Sequence, residues 1–253
     1  VRFLFTRRWV LFAITVALLA WGATLLGQWQ FHRLSERRAH NSLVAHNLAE
    51  PPVSMQAVLK VGAPVRSGDE WRPVVVHGIW DDAHTIVLKY QLRNSVAGID
   101  VVTPLVTDAG PAVLVDRGWM ATENVGSNRP ATPAVASGEV TVIGWVRADG
   151  SGDAARVSAL QTRAISSVAA AQVLPYRLYG GFLDIQSESP DPHTSLGATN
   201  LPDDTSQGPH FFYGLQWWFF GVLAVFGFGY LAYDEWRMAR EARATALAGS
   251  EGS

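Results

Sequence analysis

The chain has 253 residues, a formal net charge of −2 and no cysteine. The missing thiols exclude disulfide staples, a thiolate copper site, a zinc ribbon and covalently attached c-type haem. A near-neutral charge with no basic patch argues against nucleic acid as a partner.

Residues 1–8 read as a short cytoplasmic lead carrying Arg2, Arg7 and Arg8. From Trp9 to Leu26 every residue is apolar or small, with Thr15 and Thr24 the only hydroxyls, which predicts a transmembrane helix over 9–27. At 1.5 Å per residue, roughly 18 residues span about 27 Å, close to a hydrocarbon core of about 30 Å. The alternative is a cleaved signal peptide, with Ala20-Trp21-Gly22 as a poor small-x-small site inside a run that continues past it. No Pro or Gly stands between Gln28 and Glu50, so the helix is expected to extend beyond the bilayer over 28–50. Trp29 then falls in the interfacial belt, and Pro51-Pro52 ends the segment.

Residues 51–209 read as a β-rich domain large enough for its own hydrophobic core. Pro73–Trp80 is β-branched and aromatic, and after a turn at Asp81-Asp82 a partner strand Thr85–Tyr90 is expected a short hairpin away. Ile99–Val106 is a third strand, which Pro104 marks as an edge or as ending at a bulge. A turn at Asp108–Pro111 leads to a fourth strand, Ala112–Asp116, and Gly138–Arg147 is a fifth. Residues 148–156 have the composition of a mobile loop, Arg163–Leu174 fits one short helix ended by Pro175, and Gly181–Ile185 fits a last strand. Short strands at this spacing predict an antiparallel barrel or sandwich.

Ser187–Pro209 is a polar connection back to a second apolar run, predicted to span the membrane over 210–233, with 234–253 as a cytoplasmic tail. Between Phe211 and Tyr233 only Gln216 is strongly polar, and roughly 23 residues reach about 34 Å. Arg237, Arg240 and Arg243 follow this run, whereas no Lys or Arg lies between Tyr179 and Phe211. The positive-inside rule therefore places both termini in the cytoplasm and the central domain outside, although Arg33, Arg37 and Arg38 follow the first span. Only Lys60 and Lys89 are lysines among the twenty basic residues. That skew, with heavy Ala and Gly use, suggests a GC-rich bacterial genome.

Few residues carry catalytic chemistry. The seven histidines (32, 40, 46, 77, 84, 193 and 210) show no metal-ligand pair one helical turn apart with an acid between, and His77 and His84 are expected to flank one hairpin. Ser54 and Lys89 faintly resemble the Ser/Lys dyad of membrane-anchored proteases, but nothing in the sequence brings them together. His210 opens the second span at the water–lipid boundary. A neutral imidazole there could ligate haem iron while Phe211, Phe212, Tyr213, Trp217 and Trp218 pack a porphyrin, or it could simply hydrogen-bond at the boundary.

Four segments together resemble the Surfeit locus protein 1 family of cytochrome c oxidase assembly factors. They are Gly27-Gln28-Trp29-Gln30 with Arg33; Val76-His77-Gly78-Ile79-Trp80-Asp81; Gly98–Leu105 with Thr103-Pro104, followed by Val113–Trp119 with Arg117-Gly118-Trp119; and Gly208-Pro209-His210 through Tyr213-Gly214-Leu215-Gln216-Trp217. Their order and the two-span layout cover nearly the whole chain and suit a bacterial, actinobacterial-type member. The family usually has Asn where Asp116 stands, and Val-Pro where this chain has Met120-Ala121.

The resemblance implies a non-enzymatic plasma-membrane protein whose outer domain helps assemble haem–copper oxidase, assisting entry of haem a into the catalytic subunit. It implies transient haem a binding at His210. Its partners would be oxidase subunits and the lipid bilayer. A permanent accessory subunit of the oxidase or of a respiratory supercomplex is the alternative, and the Ser/Lys protease ranks third. Trp29, Arg33, Gly78, Thr103, Pro104, Arg117, Gly118, Trp119, Tyr213, Gln216 and Trp217 are the candidate structural or partner-contacting residues. Of these, Arg117-Gly118-Trp119 is expected to be structural.

Overall fold

The computed structural model describes residues 2–122, 129–192, 196–202 and 209–250. His193 and Gly208 lie outside the described residues. In chain order the long helix α1 (Arg7–Ala49) precedes β1 (Val53–Ser54), a short α2 (Met55–Val58), β2 (Pro73–Trp80), β3 (Ile86–Arg93), β4 (Val96–Val106), β5 (Ala112–Ala121), β6 (Glu139–Arg147), β7 (Gln161–Thr162), a short α3 (Ser167–Ala170), β8 (Leu178–Ser189) and the long helix α4 (His210–Ser250). Two compact units result, one of Val1–His40 with Thr205–Ser253 and one of Asn41–Asp204.

In the first unit α1 and α4 are each long and apolar enough to cross a bilayer. The hydroxyls within α1 are satisfied locally: Thr15 donates to the Leu11 carbonyl and Thr24 to the Ala20 carbonyl, each at 2.9 Å. The two helices run antiparallel. Trp9 and Phe12 meet Phe228 at ring separations of 5.7 and 5.4 Å, and Phe31 meets Trp218 at 4.9 Å. Small residues let the backbones approach between these aromatic ends. A Cβ on Gly221 would stand 3.4 Å from the Ala23 Cβ, and one on Gly27 would overlap the Trp218 indole.

The second unit is one eight-stranded mixed sheet in the order β1-β2-β6-β8-β5-β4-β3-β7, with β2 also pairing with β4. β6 alternates buried and half-buried positions, the period-2 pattern of a strand covered on one face. β4 and β5 are buried almost throughout, because both of their faces are covered. Val113 and Val115 enter one core with Val74, Val76, Leu105, Val142 and Leu183, while Ala112 and Leu114 enter a second with Ile86, Val102, Ile165 and Phe182. The C-terminal turns of α1 belong to this unit too. There the Asn47 amide donates to the Gly68 and Glu70 carbonyls, both at 2.8 Å.

Several expectations need correction. The sheet is mixed rather than wholly antiparallel: β1–β2, β5–β8 and β3–β7 pair in parallel, and the remaining pairs are antiparallel as expected. β2 and β3 do not form a hairpin. Trp80 pairs with Leu105 and Ile86 with Val102, so both strands follow one side of β4, joined by a 3-10 turn at Asp82–His84. His77 and His84 therefore do not flank a common hairpin.

Pro104 sits inside a central strand. β3 leaves β4 at Val102 and β2 takes over at Leu105. The Pro104 carbonyl accepts from Asp81 N on that side, and the absent N–H falls in the gap between the two ladders. The helix expected over 163–174 shrinks to Ser167–Ala170, capped by the Ser166 hydroxyl. Residues 148–156 contain a 3-10 turn at Asp153–Ala155. The last strand is far longer than expected, and Arg117–Trp119 lies within β5 rather than after it.

Candidate functional site

Two constellations carry chemistry, one in each unit. In the helix pair, His210 opens α4 and is half-buried; its Nδ1 lies 2.8 Å from Gln30 Oε1 on α1. The Gln30 amide oxygen can accept from Nδ1–H, and in that tautomer Nε2 keeps the lone pair a metal-ligating histidine needs. Phe31 packs beside it, edge-on to Phe211 at 6.2 Å and against Trp218, and the Phe31 ring lies 3.0 Å from where a Gly214 Cβ would stand. An imidazole held through one nitrogen, with flat rings nearby, could serve as a haem ligand. Among the described residues no group of three or more His, Asp or Glu could cage a bare metal ion.

The other residues singled out on these helices lie around this pair. Trp29 is exposed, with the Arg33 guanidinium 5.9 Å from its ring, and Arg33 also bonds Glu36 at 3.2 Å. Tyr213 and Gln216 are exposed, and the half-buried Trp217 meets Phe220 edge-on at 6.1 Å. Gly214, Trp218, Gly221 and Phe228 of α4 meet α1, while Tyr213 and Phe220 are exposed.

In the sheet unit the singled-out residues hold the fold. A Cβ on Gly78 would overlap the Val106 carbonyl, so glycine lets β2 cross β4. Thr103 is fully buried and shares a 3.0 Å hydrogen bond with Thr85. Arg117 donates to the Pro133 and Ala134 carbonyls, both at 3.1 Å, and lies over Trp80, tying the 133–134 segment to the sheet. Gly118 has φ +121°, its N–H bonds Asp116 Oδ1 at 2.9 Å, and Trp119 exchanges two backbone hydrogen bonds with Gly197. Ser54 Oγ bonds Gln56 Oε1, and the Lys89 ammonium lies over Tyr90; no described contact joins Ser54 to Lys89.

Sequence reasoning missed the second constellation. Asp100, Asp116 and Asp184, all buried, line a cavity of about 320 Å³ with Arg93, Arg147 and Arg163. β4, β5 and β8 are neighbours, and Asp116 pairs directly with Asp184. Arg93 bonds Asp100 at 3.0 Å and also holds the Ala198 carbonyl; Arg147 bonds Asp184. The only signal was the departure from the family Asn at Asp116. Burial pushes the Asp100 carboxyl up to about 6 against the pull of Arg93. Burial, with Asp100 and Asp184 nearby, pushes Asp116 well above the usual range.

A carboxyl raised in the folded state keeps its proton where the unfolded chain has lost it. Its folded form is therefore favoured at low pH and loses that advantage as pH rises from 3.8 through about 6 for Asp100, and further for Asp116. Asp116→Asn keeps an oxygen for the Gly118 N–H and removes the charge. The full-length variant in detergent is expected to melt a few degrees higher than wild type at pH 8 and equally at pH 4. Parallel melting curves for the two proteins across that range would show that Asp116 is not the group responsible.

A profile described as the SURF1 family matches residues 17–222, a stretch that includes Trp29, Gln30, the Arg117–Trp119 segment, His210 and Trp217. The chain is 28% identical over 248 residues to an uncharacterized SURF1-like protein of Mycobacterium bovis, an alignment covering 96% of this chain and 90% of the relative. It matches an uncharacterized SURF1-like protein of Mycobacterium tuberculosis to the same extent.

Proposed function

The chain belongs to the SURF1 family, and on that premise we propose that it is a two-span membrane protein that assists assembly of haem–copper cytochrome c oxidase. In this reading the chain acts as an assembly factor rather than as an enzyme. In this reading His210 holds haem a briefly before its transfer to the catalytic subunit. The observation that carries the reading is the 2.8 Å contact between His210 Nδ1 and Gln30, which leaves Nε2 available and presets the ring plane. Haem, when bound, would supply an iron for the His210 imidazole to ligate. This chain orients one imidazole and sets aromatic rings near it.

The proposed orientation follows the arginines, with both termini cytoplasmic and the sheet unit outside the plasma membrane. Tyr213 and Phe220 on α4 remain exposed and could pack against helices of the oxidase. A permanent oxidase subunit would use the same face.

Affinity purification of the tagged full-length chain separates the two. Recovery of oxidase subunits well below one-to-one, with no copy of this chain in the mature enzyme, is the expected result. A stoichiometric copy in the mature oxidase would make it a subunit, and purification without any oxidase subunit would remove the partner.

A further inference from the structure

We propose that a trough between α1 and α4 seats a long isoprenoid tail on the haem held at His210; this rests on the haem reading above. The trough has a volume of about 630 Å³ and is lined by Ala20 and Thr24 of α1 and by Trp218, Gly221, Val222, Val225 and Phe226 of α4. Its floor is made of small residues, because Gly221 lies against Ala20 and Ala23 where the helix backbones approach. Its walls are large and open, with Val225 55% and Phe226 70% exposed. Thr24 is the one hydroxyl, and it is spent on the Ala20 carbonyl at 2.9 Å, so the Trp218 indole N–H at the head of the trough is the one side-chain donor in a lining that is otherwise apolar. It is therefore a place for hydrocarbon.

Position decides which hydrocarbon. Trp218 stands eight residues beyond His210, about 12 Å along α4, and Phe226 lies about 12 Å further. The ring set Phe211–Phe31–Trp218 connects the imidazole to the head of the trough, with centroid separations of 6.2 and 4.9 Å. A porphyrin held at His210 would have these rings between it and the head of the trough, and a long apolar tail reaching along them would meet the trough at Trp218. Haem a carries such a tail and haem b does not, so the trough would select between two haems that offer the same iron. A lipid acyl chain has the same chemistry as the tail, but it would fill the trough without regard to the haem.

The test titrates haem a and haem b separately into full-length protein in lipid nanodiscs, following the absorption of the bound haem. Wild type is expected to bind haem a at least about tenfold more tightly than haem b. Thr24→Phe, which fills the trough from α1, and Val222→Trp, which fills it from α4, are each expected to erase that preference while haem b binding stays unchanged. Retained haem b binding also reports that the variant has folded. Equal affinity of wild type for the two haems, or a preference that survives both variants, would overturn the proposal and leave an acyl-chain trough. Failure of wild type to bind either haem would instead overturn the haem reading, and this proposal with it.

Discussion

Gly118→Val should leave little folded protein in the membrane. Gly118 has φ +121°, a region that side-chain-bearing residues rarely adopt, and a Cβ there would stand 2.5 Å from the Gly197 carbonyl oxygen. Relief would require breaking the paired hydrogen bonds between Trp119 and Gly197 and moving Asp116 from the Gly118 N–H. Backbone strain and lost hydrogen bonds together cost about 3 kcal/mol or more, a large part of the roughly 5–15 kcal/mol that holds a domain folded. Steady-state level and melting temperature should both fall. Trp119→Ala should act in the same direction more weakly, because Trp119 is half-buried and packs under Arg93 at 5.7 Å. Normal abundance with lost function in either variant would mark a binding surface instead of a structural joint.

His210→Ala should abolish the haem absorption band of the purified protein. A methyl group offers iron no ligand, whereas loss of an ordinary boundary hydrogen bond costs only about 1 kcal/mol. Gln30→Leu is the sharper variant. It leaves the imidazole in place but frees its tautomer and ring plane, and the loss of such an orienting partner lowers metal affinity by about 10–100-fold. Protein made in cells that synthesise haem a should therefore carry a strong band, a weak band for Gln30→Leu and none for His210→Ala. Identical spectra for all three would return His210 to a boundary residue.

The two long helices were legible because their signal is local: unbroken apolar runs without proline. Strands β2, β5 and β6 were legible for a similar reason, as β-branched runs between turn residues. Their pairing was not. Only long-range contacts determine that β8 inserts between β6 and β5, or that β2 and β3 share β4 as a neighbour. Pro104 shows the difficulty well. Proline in a strand usually indicates an edge, yet here it occupies a gap where one neighbour replaces another, which a single sequence does not display. Likewise Gln30, 180 residues from His210, and the Asp100–Asp116–Asp184 cluster, assembled from three strands, become a pair and a cavity only once the chain is folded. Gly118 was legible in kind, as part of a structural Arg117-Gly118-Trp119 segment, but its role depends on Gly197, nearly eighty residues away.

The central claim is that this chain serves the haem–copper oxidase by handling haem a at His210. The most direct measurement is the difference spectrum of membranes from a strain lacking the gene, complemented with wild type or with His210→Ala. The deletion should lose most haem a signal and oxidase activity, with the cytochrome bc-type complex and any bd-type oxidase unaffected. Wild type should restore both losses, and His210→Ala should not, although its protein level is normal. Full oxidase content and activity in the deletion strain would contradict the account.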